Sequence, residues 1–218
     1  DTGDYAQSSP AVVDGTVYIG SQGGNVYALA RSQSTSTPTA TSTPTQPPQA
    51  ASTEGWPQYS YNPANSGSAP GESGPIASID DQWAFDTGSS VSSSPAVVDG
   101  TVYVGSEDTN VYALSAADGT EQWAFDTGGE GNSSPAVVDG TAYDGSQDGN
   151  VYALSASDGT EQWVFETGGE QRGFSNGTEQ ETSNTGSEQG TSAGVFSSPA
   201  VVDGTVYVGS EDNHMYAL

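Results

Sequence analysis

Residues 93–126 read SSPAVVDGTVYVGSEDTNVYALSAADGTEQWAFD, and their pattern decides the fold. Pro95 to Val98 is a short apolar run ended by Asp99-Gly100, the two-residue signal of a type I′ hairpin, in which Gly tolerates the positive φ that the turn needs. Thr101 to Ser106 then alternates, with Val102 and Val104 on one face and Tyr103 on the other. Asp108-Thr109 marks a second turn, Val111 to Leu114 a third strand and Asp118-Gly119 a third turn. Gln122 to Asp126, carrying Trp123 and Phe125, makes the fourth strand. Four strands joined by three tight turns form an antiparallel meander.

Working outward, the nonamer SSPAVVDGT recurs at Ser8–Thr16, Ser93–Thr101, Ser133–Thr141 and Ser197–Thr205, and Trp83, Trp123 and Trp163 are spaced by 40 residues. A repeat of that length matches one blade of a β-propeller. The sequence therefore predicts an all-β chain, a propeller of four-stranded antiparallel blades with about four repeats present, a partial ring being one arrangement left open. An isolated small sheet cannot bury both faces, so neighbouring blades must cover each other. Each Trp buries about 150–250 Å², on the order of 4–6 kcal/mol at ~25 cal/mol per Å² before entropic costs, and is expected to wedge between blades.

Ala113, Ser115, Gly119 and Trp123, and again Ala153, Ser155, Gly159 and Trp163, resemble the tryptophan-docking motif Ala-x-Asp-x-x-x-Gly-x-x-x-Trp of quinoprotein-type propellers, the pyrroloquinoline quinone (PQQ)-like repeat proteins, with Ser in place of the motif's Asp. Gly55-Trp56-Pro57-Gln58-Tyr59 with Asn62-Pro63-Ala64-Asn65-Ser66-Gly67 resembles the segment that leads into the first blade of such proteins. The resemblance implies a ring of about six to eight blades. It spans PQQ- and calcium-dependent alcohol dehydrogenases as well as non-catalytic scaffolds, such as the lipoprotein that helps assemble outer-membrane barrels. In the dehydrogenases a vicinal disulfide, an Arg and calcium-binding Glu, Asn and Asp surround the cofactor. This sequence has no cysteine and shows no matching set, so no catalytic or metal-binding residue and no cofactor is expected.

Composition narrows the function classes. Asp and Glu total 28, the bases are Arg31 and Arg172, and the formal net charge is −26. Such a surface repels phosphate backbones, which argues against a nucleic-acid partner. It suits a halophilic protein, because concentrated salt shortens the Debye length to a few Å and screens the self-repulsion. No apolar run approaches the ~20 residues of a membrane span, although tethering is compatible. Asp1-Thr2-Gly3 reads as the tail of an earlier repeat, and the chain stops within a docking motif at Ala217-Leu218, which favours a fragment of a longer protein.

The organisation expected is propeller strands over 1–30, a Ser/Thr/Pro-rich linker over 31–55, and blades over 56–218 with an inserted loop at 169–194. The linker leaves two arrangements open, two propeller segments or one ring with an insertion. Four inner three-strand sets face three Trp strands, so one outer strand is missing and oligomerisation is one route to a complete ring. Asn132 and Asn176 begin N-glycosylation patterns, which lean towards the cell exterior.

Four residues stand out as candidates on a ligand-binding face. Arg172 and Phe174 lie in the long insertion, on the side that also carries the second-to-third-strand turns. His214, the single histidine, aligns with Asn25, Asn110 and Asn150. Asp144 replaces Ile19, Val104 and Val208 within a strand, where a buried, unpaired carboxylate would cost several kcal/mol. The turn carboxylates Glu107, Asp108, Asp148, Glu211 and Asp212 do not form a complete calcium loop. The reading this supports is a non-catalytic, extracellular or cell-surface propeller that binds or scaffolds a protein or other extracellular ligand through one ring face. The alternative is part of a PQQ- and calcium-dependent dehydrogenase whose catalytic blades lie elsewhere.

Overall fold

The structure, a computed structural model, describes residues 5–31, 79–168 and 193–218. The Ser/Thr/Pro-rich stretch, the lead-in segment at 55–67, Arg172, Phe174 and the Asn176 pattern lie outside the described residues. Among the described residues there are four antiparallel sheets. The first blade comprises β1 (Ala11–Val13), β2 (Thr16–Gly20), β3 (Asn25–Arg31) and β4 (Ile79–Asp86). The second holds β5 (Ala96–Val98), β6 (Thr101–Gly105), β7 (Asn110–Ser115) and β8 (Glu121–Asp126). The third holds β9 (Ala136–Val138), β10 (Thr141–Gly145), β11 (Asn150–Ser155) and β12 (Glu161–Glu166). The fourth has three described strands, β13 (Ala200–Val202), β14 (Thr205–Gly209) and β15 (Met215–Ala217).

Local chemistry sets each meander. Asp99 and Gly100 have φ of 50° and 74°, and Val98 pairs with Thr101 across them, the geometry of a two-residue type I′ turn. The same turn recurs at Asp14, Asp139 and Asp203. Between β7 and β8 the register shifts, with Ala113 opposite Trp123 and Leu114 opposite Glu121. Gln122 is thereby left as the extra residue of a bulge, and its Oε1 accepts a hydrogen bond from Thr101 Oγ1 at 3.4 Å.

The two stretches flanking the Ser/Thr/Pro-rich segment share one sheet, because β3 pairs with β4 from Asn25↔Asp86 to Arg31↔Ile79. The Trp83 strand therefore completes the first inner set, and the set without a described fourth strand is the last. Among the described residues the blades follow one another as an arc that does not close, with β1 beside β5, β5 beside β9 and β9 beside β13. Short backbone-to-serine bonds stitch this inner rim, from Ser9 N–H to Ser94 Oγ and from Ser94 N–H to Ser134 Oγ, each 2.8 Å.

The core lies between blades. Val97, Val102, Val104, Tyr112 and Leu114 of the second blade pack on Ala11, Tyr18, Val26, Ala28 and Trp83 of the first. Trp83 Nε1–H donates to Ala116 O at 3.0 Å, and its ring sits where a Cβ on Gly119 would be, 2.7 Å from Cδ2. Trp123 repeats this on Ala156 and Gly159. Each docking glycine thus serves the tryptophan of the preceding blade. On the fourth blade the corresponding face carries Val202, Tyr207 and Met215, exposed by 40%, 42% and 80%, whereas Tyr103 and Val111 at the matching positions of the second blade are buried.

Candidate functional site

One end of the arc is built from the links between blades and the second-to-third-strand turns. Each link reaches the turn of the next blade: Glu107 N–H donates to Ser90 O at 3.0 Å, Gln147 N–H to Glu130 O at 3.2 Å and Glu211 N–H to Gly194 O at 3.0 Å. The turns carry most of the acidic side chains of this face. Asp108 accepts from Asn110 N–H at 3.0 Å and from the Tyr112 hydroxyl at 2.5 Å. Asp148 accepts in the same way from Asn150 and Tyr152, and Asp212 from His214 N–H and the Tyr216 hydroxyl. These carboxylates close their own turns. Burial, and then the neighbouring Asp108 carboxylate, push the Tyr112 hydroxyl well above its ordinary range, so it stays a donor. Among the described residues no three His, Cys, Asp or Glu side chains gather into a metal-binding group.

His214 stands on this rim with 72% of its side chain exposed and Nδ1 3.5 Å from Asp212 Oδ1. The insertion is rooted beside it. Gly168 N–H donates to the Tyr216 hydroxyl at 3.3 Å, and a Cβ on Gly168 would lie in contact with both Asp212 and Ala193. Residues 193–195 then resume the ordinary link. Thr167 Oγ1 donates to Ala193 O at 3.1 Å as Thr127 Oγ1 does to Gly129 O at 2.9 Å. Val195 N–H donates to Ser146 O as Gly131 N–H does to Ser106 O, each at 2.9 Å. The additional residues are therefore 169–192. Arg172 and Phe174 belong to them, so the structure brings His214 together with the two ends of the segment that carries both. The Ser/Thr/Pro-rich segment departs from the opposite end of the first blade, after Arg31, where the first-to-second and third-to-fourth turns meet through bonds such as Ala116 N–H to Gly100 O.

Asp144 is placed elsewhere. It is 1% exposed on β10, within the layer between the second and third blades, and neither carboxylate oxygen has a hydrogen-bond partner. The Ser133 hydroxyl and Gly145 N–H lie near enough to favour the anion, but Gly145 N–H donates to Ser133 Oγ and the Ser133 hydroxyl donates to Ser197 O, each at 3.2 Å. Burial prevails and holds the carboxyl well above the usual range. Sequence reasoning singled out Asp144 but missed Gly131, whose departure from Val91 and Val195 becomes visible once the insertion is removed from the alignment of repeats.

The fold agrees with the comparisons. A family model described as outer membrane protein assembly factor BamB matches residues 74–186, just over half of the chain. The chain belongs to the BamB family. The crystal structure of BamB from Moraxella catarrhalis superposes with a TM-score of 0.61 at 16% identity, covering 99% of this chain and 47% of that one, so the chain spans about half the length of that relative. The computationally designed protein Ika4 superposes with a TM-score of 0.57 at 12% identity over 99% of this chain and 91% of its own. At these identities both show the fold alone. A quinohemoprotein alcohol dehydrogenase from Pseudomonas putida HK5 matches 53% of this chain and 16% of its own at 28% identity, with a TM-score of 0.41. No curated protein matches the chain. Among the described residues no helix is long and apolar enough to cross a membrane.

Proposed function

We propose that this chain is a non-catalytic binding or scaffolding propeller of the extracellular space or cell surface, and that it engages a protein partner through the link-and-turn face of its arc. The observation that carries this reading is the rooting of residues 169–192 on that face, beside His214 and Asp212. Extra chain at a link is compatible with unchanged blades, because residues 193–195 recover the link's backbone bonds to the neighbouring turns and the bond from Thr167 Oγ1. An insertion at a link on the rim of a rigid scaffold is where specificity can be built. The acidic turns and the net charge of −26 favour a partner with an electropositive surface, since complementary potentials steer association. The same charge suits a salt-rich exterior, where screening is strong. Membership of a family described by an assembly factor supports a protein as the partner.

Deleting 169–192 joins Gly168 to Ala193 at the spacing of the ordinary link and should leave the urea midpoint nearly unchanged. Cross-linking of the whole chain in its native envelope should trap a discrete protein partner that the deletion variant loses. Equal trapping by both, or no partner for either, would overturn the reading.

A further inference from the structure

The three layers between blades share a set of equivalent positions. In the first layer Val104 of β6 and Val91 of the preceding link belong to one buried cluster with Val26. In the third layer Val208 of β14, Val195 of the link and Val151 do the same. Backbone bonds fix the equivalence of the link residues: Val91 N–H donates to Ser21 O, Gly131 N–H to Ser106 O and Val195 N–H to Ser146 O, each at 2.9 Å. The middle layer therefore has Asp144 and Gly131 where the others have a pair of valines. Ala142, two residues before Asp144 on the same face, stands where Val102 and Val206 stand in the neighbouring blades.

The substitutions change both volume and polarity. Val to Gly removes an isopropyl group and Val to Ala removes two methyls, whereas Asp exceeds Val by one heavy atom. The link keeps its spacing from the strand, a Cβ on Gly105 lying 3.0 Å from Gly131 O against 2.8 Å and 2.9 Å at the equivalent Gly20 and Gly145, while the side chains of the layer are smaller by about four heavy atoms, more than a water's volume of roughly 30 Å³. A Cβ on Gly105 would meet Gly131 O at 3.0 Å and Ser133 O at 3.4 Å, which places carbonyl oxygens at this part of the layer. The carboxylate itself has two buried oxygens without a partner. The ion pair of the described residues, His214 with Asp212, lies elsewhere. An ionised, unpaired carboxylate in such a place costs several kcal/mol, and a matching positive charge removes most of that cost.

We infer that Asp144, with the space opened by Gly131 and Ala142, forms a buried site for one monovalent cation of sodium or potassium size between the second and third blades. A single carboxylate among neutral oxygens balances one positive charge, whereas a divalent ion would leave a net charge buried. Oxygen donors without nitrogen or sulfur suit a hard cation. The surrounding excess of negative charge raises the local cation concentration. The ion's effect is to tie two blades together at a layer whose apolar packing has been thinned.

The test is equilibrium unfolding of the whole chain by urea. NaCl or KCl is varied while ionic strength is held constant with tetramethylammonium chloride, whose bulky cation does not fit the site. Above saturation each bound ion lowers the unfolding constant about tenfold for every tenfold rise in cation activity. Asp144→Val, which restores the residue of the neighbouring blades, and Asp144→Asn, which keeps the shape without the charge, should each reduce the slope of that log–log plot by about one. An unchanged slope in both variants would overturn the proposal and leave Asp144 a neutral buried acid. Saturation by micromolar Ca²⁺ that abolishes the Na⁺ response of the wild type would overturn its monovalent character.

Discussion

Replacing Gly119 by Ala tests the docking of one blade on the next, and the structure supplies its own control. Gly100 and Gly119 have nearly the same backbone, φ of 74° and 73°, but a Cβ on Gly100 meets nothing within 4 Å, whereas one on Gly119 lies 2.7 Å from Cδ2 and Cε3 of Trp83. Gly100→Ala should therefore cost the left-handed backbone alone, about 1–2 kcal/mol. Gly119→Ala should cost that and the overpacking of the indole, a further ~1–3 kcal/mol. Urea unfolding followed by circular dichroism at fixed salt converts the difference into a shift of midpoint. In a Trp83→Ala background, itself destabilised by ~3–5 kcal/mol, the Gly119→Ala penalty should fall to that of Gly100→Ala, since the clash has lost its partner. Equal losses for the two glycine variants in the wild-type background would refute the reasoning, because they would mean that Trp83 does not rest on Gly119.

Three further outcomes follow from the same geometry. Tyr103→Ala removes a ring buried between blades and should cost ~3–5 kcal/mol, while Tyr207→Ala, with 42% of the residue exposed, should cost about 1 kcal/mol or less; similar midpoints for the two would contradict the layer assignment. In tetramethylammonium chloride, Asp144 should make stability fall with rising pH. Its folded carboxyl titrates well above the ordinary 3.8, so folded and unfolded chains are equally protonated below that pH and the unfolded chain alone ionises as pH rises above it. Tyr152, its cross-strand neighbour, is kept protonated by burial and by Asp148, so the widening gap in urea midpoint between wild type and Asp144→Val from pH 4 upward reports Asp144, and a constant gap would contradict this. Titration with PQQ and Ca²⁺ in high salt should give no saturable binding; saturation with alcohol-dependent dye reduction would replace the binding reading with the dehydrogenase alternative.

Of the candidate site, the insertion and His214 were legible as departures from the repeat, and the structure roots them on one rim through Gly168, Tyr216 and Asp212. Asp144 was legible as an oddity, but not its surroundings. Those follow from Gly131 in the link and Val111 on β7, which stand where Val91 and Val26 stand beside Val104 in the first layer and precede the repeat that carries Asp144.

The meander itself was a local matter. Asp-Gly turns with paired positive φ, the alternation of Val102, Tyr103 and Val104, and the 40-residue spacing act within one blade, so they can be read without knowing what lies next to it. Three features waited for the tertiary structure. The strand Ile79–Asp86 belongs with β3 across an intervening segment of some length, a pairing that depends on long-range registry rather than on local propensity. Gly119 and Gly159 receive the indoles of the preceding blades. The middle layer combines Asp144 with a missing valine. In the last two the deciding contact joins residues from different blades, and in the first it joins strands of one blade that are far apart in the chain; a repeat that is nearly identical in every copy does not say which copy meets which until the sheets are packed.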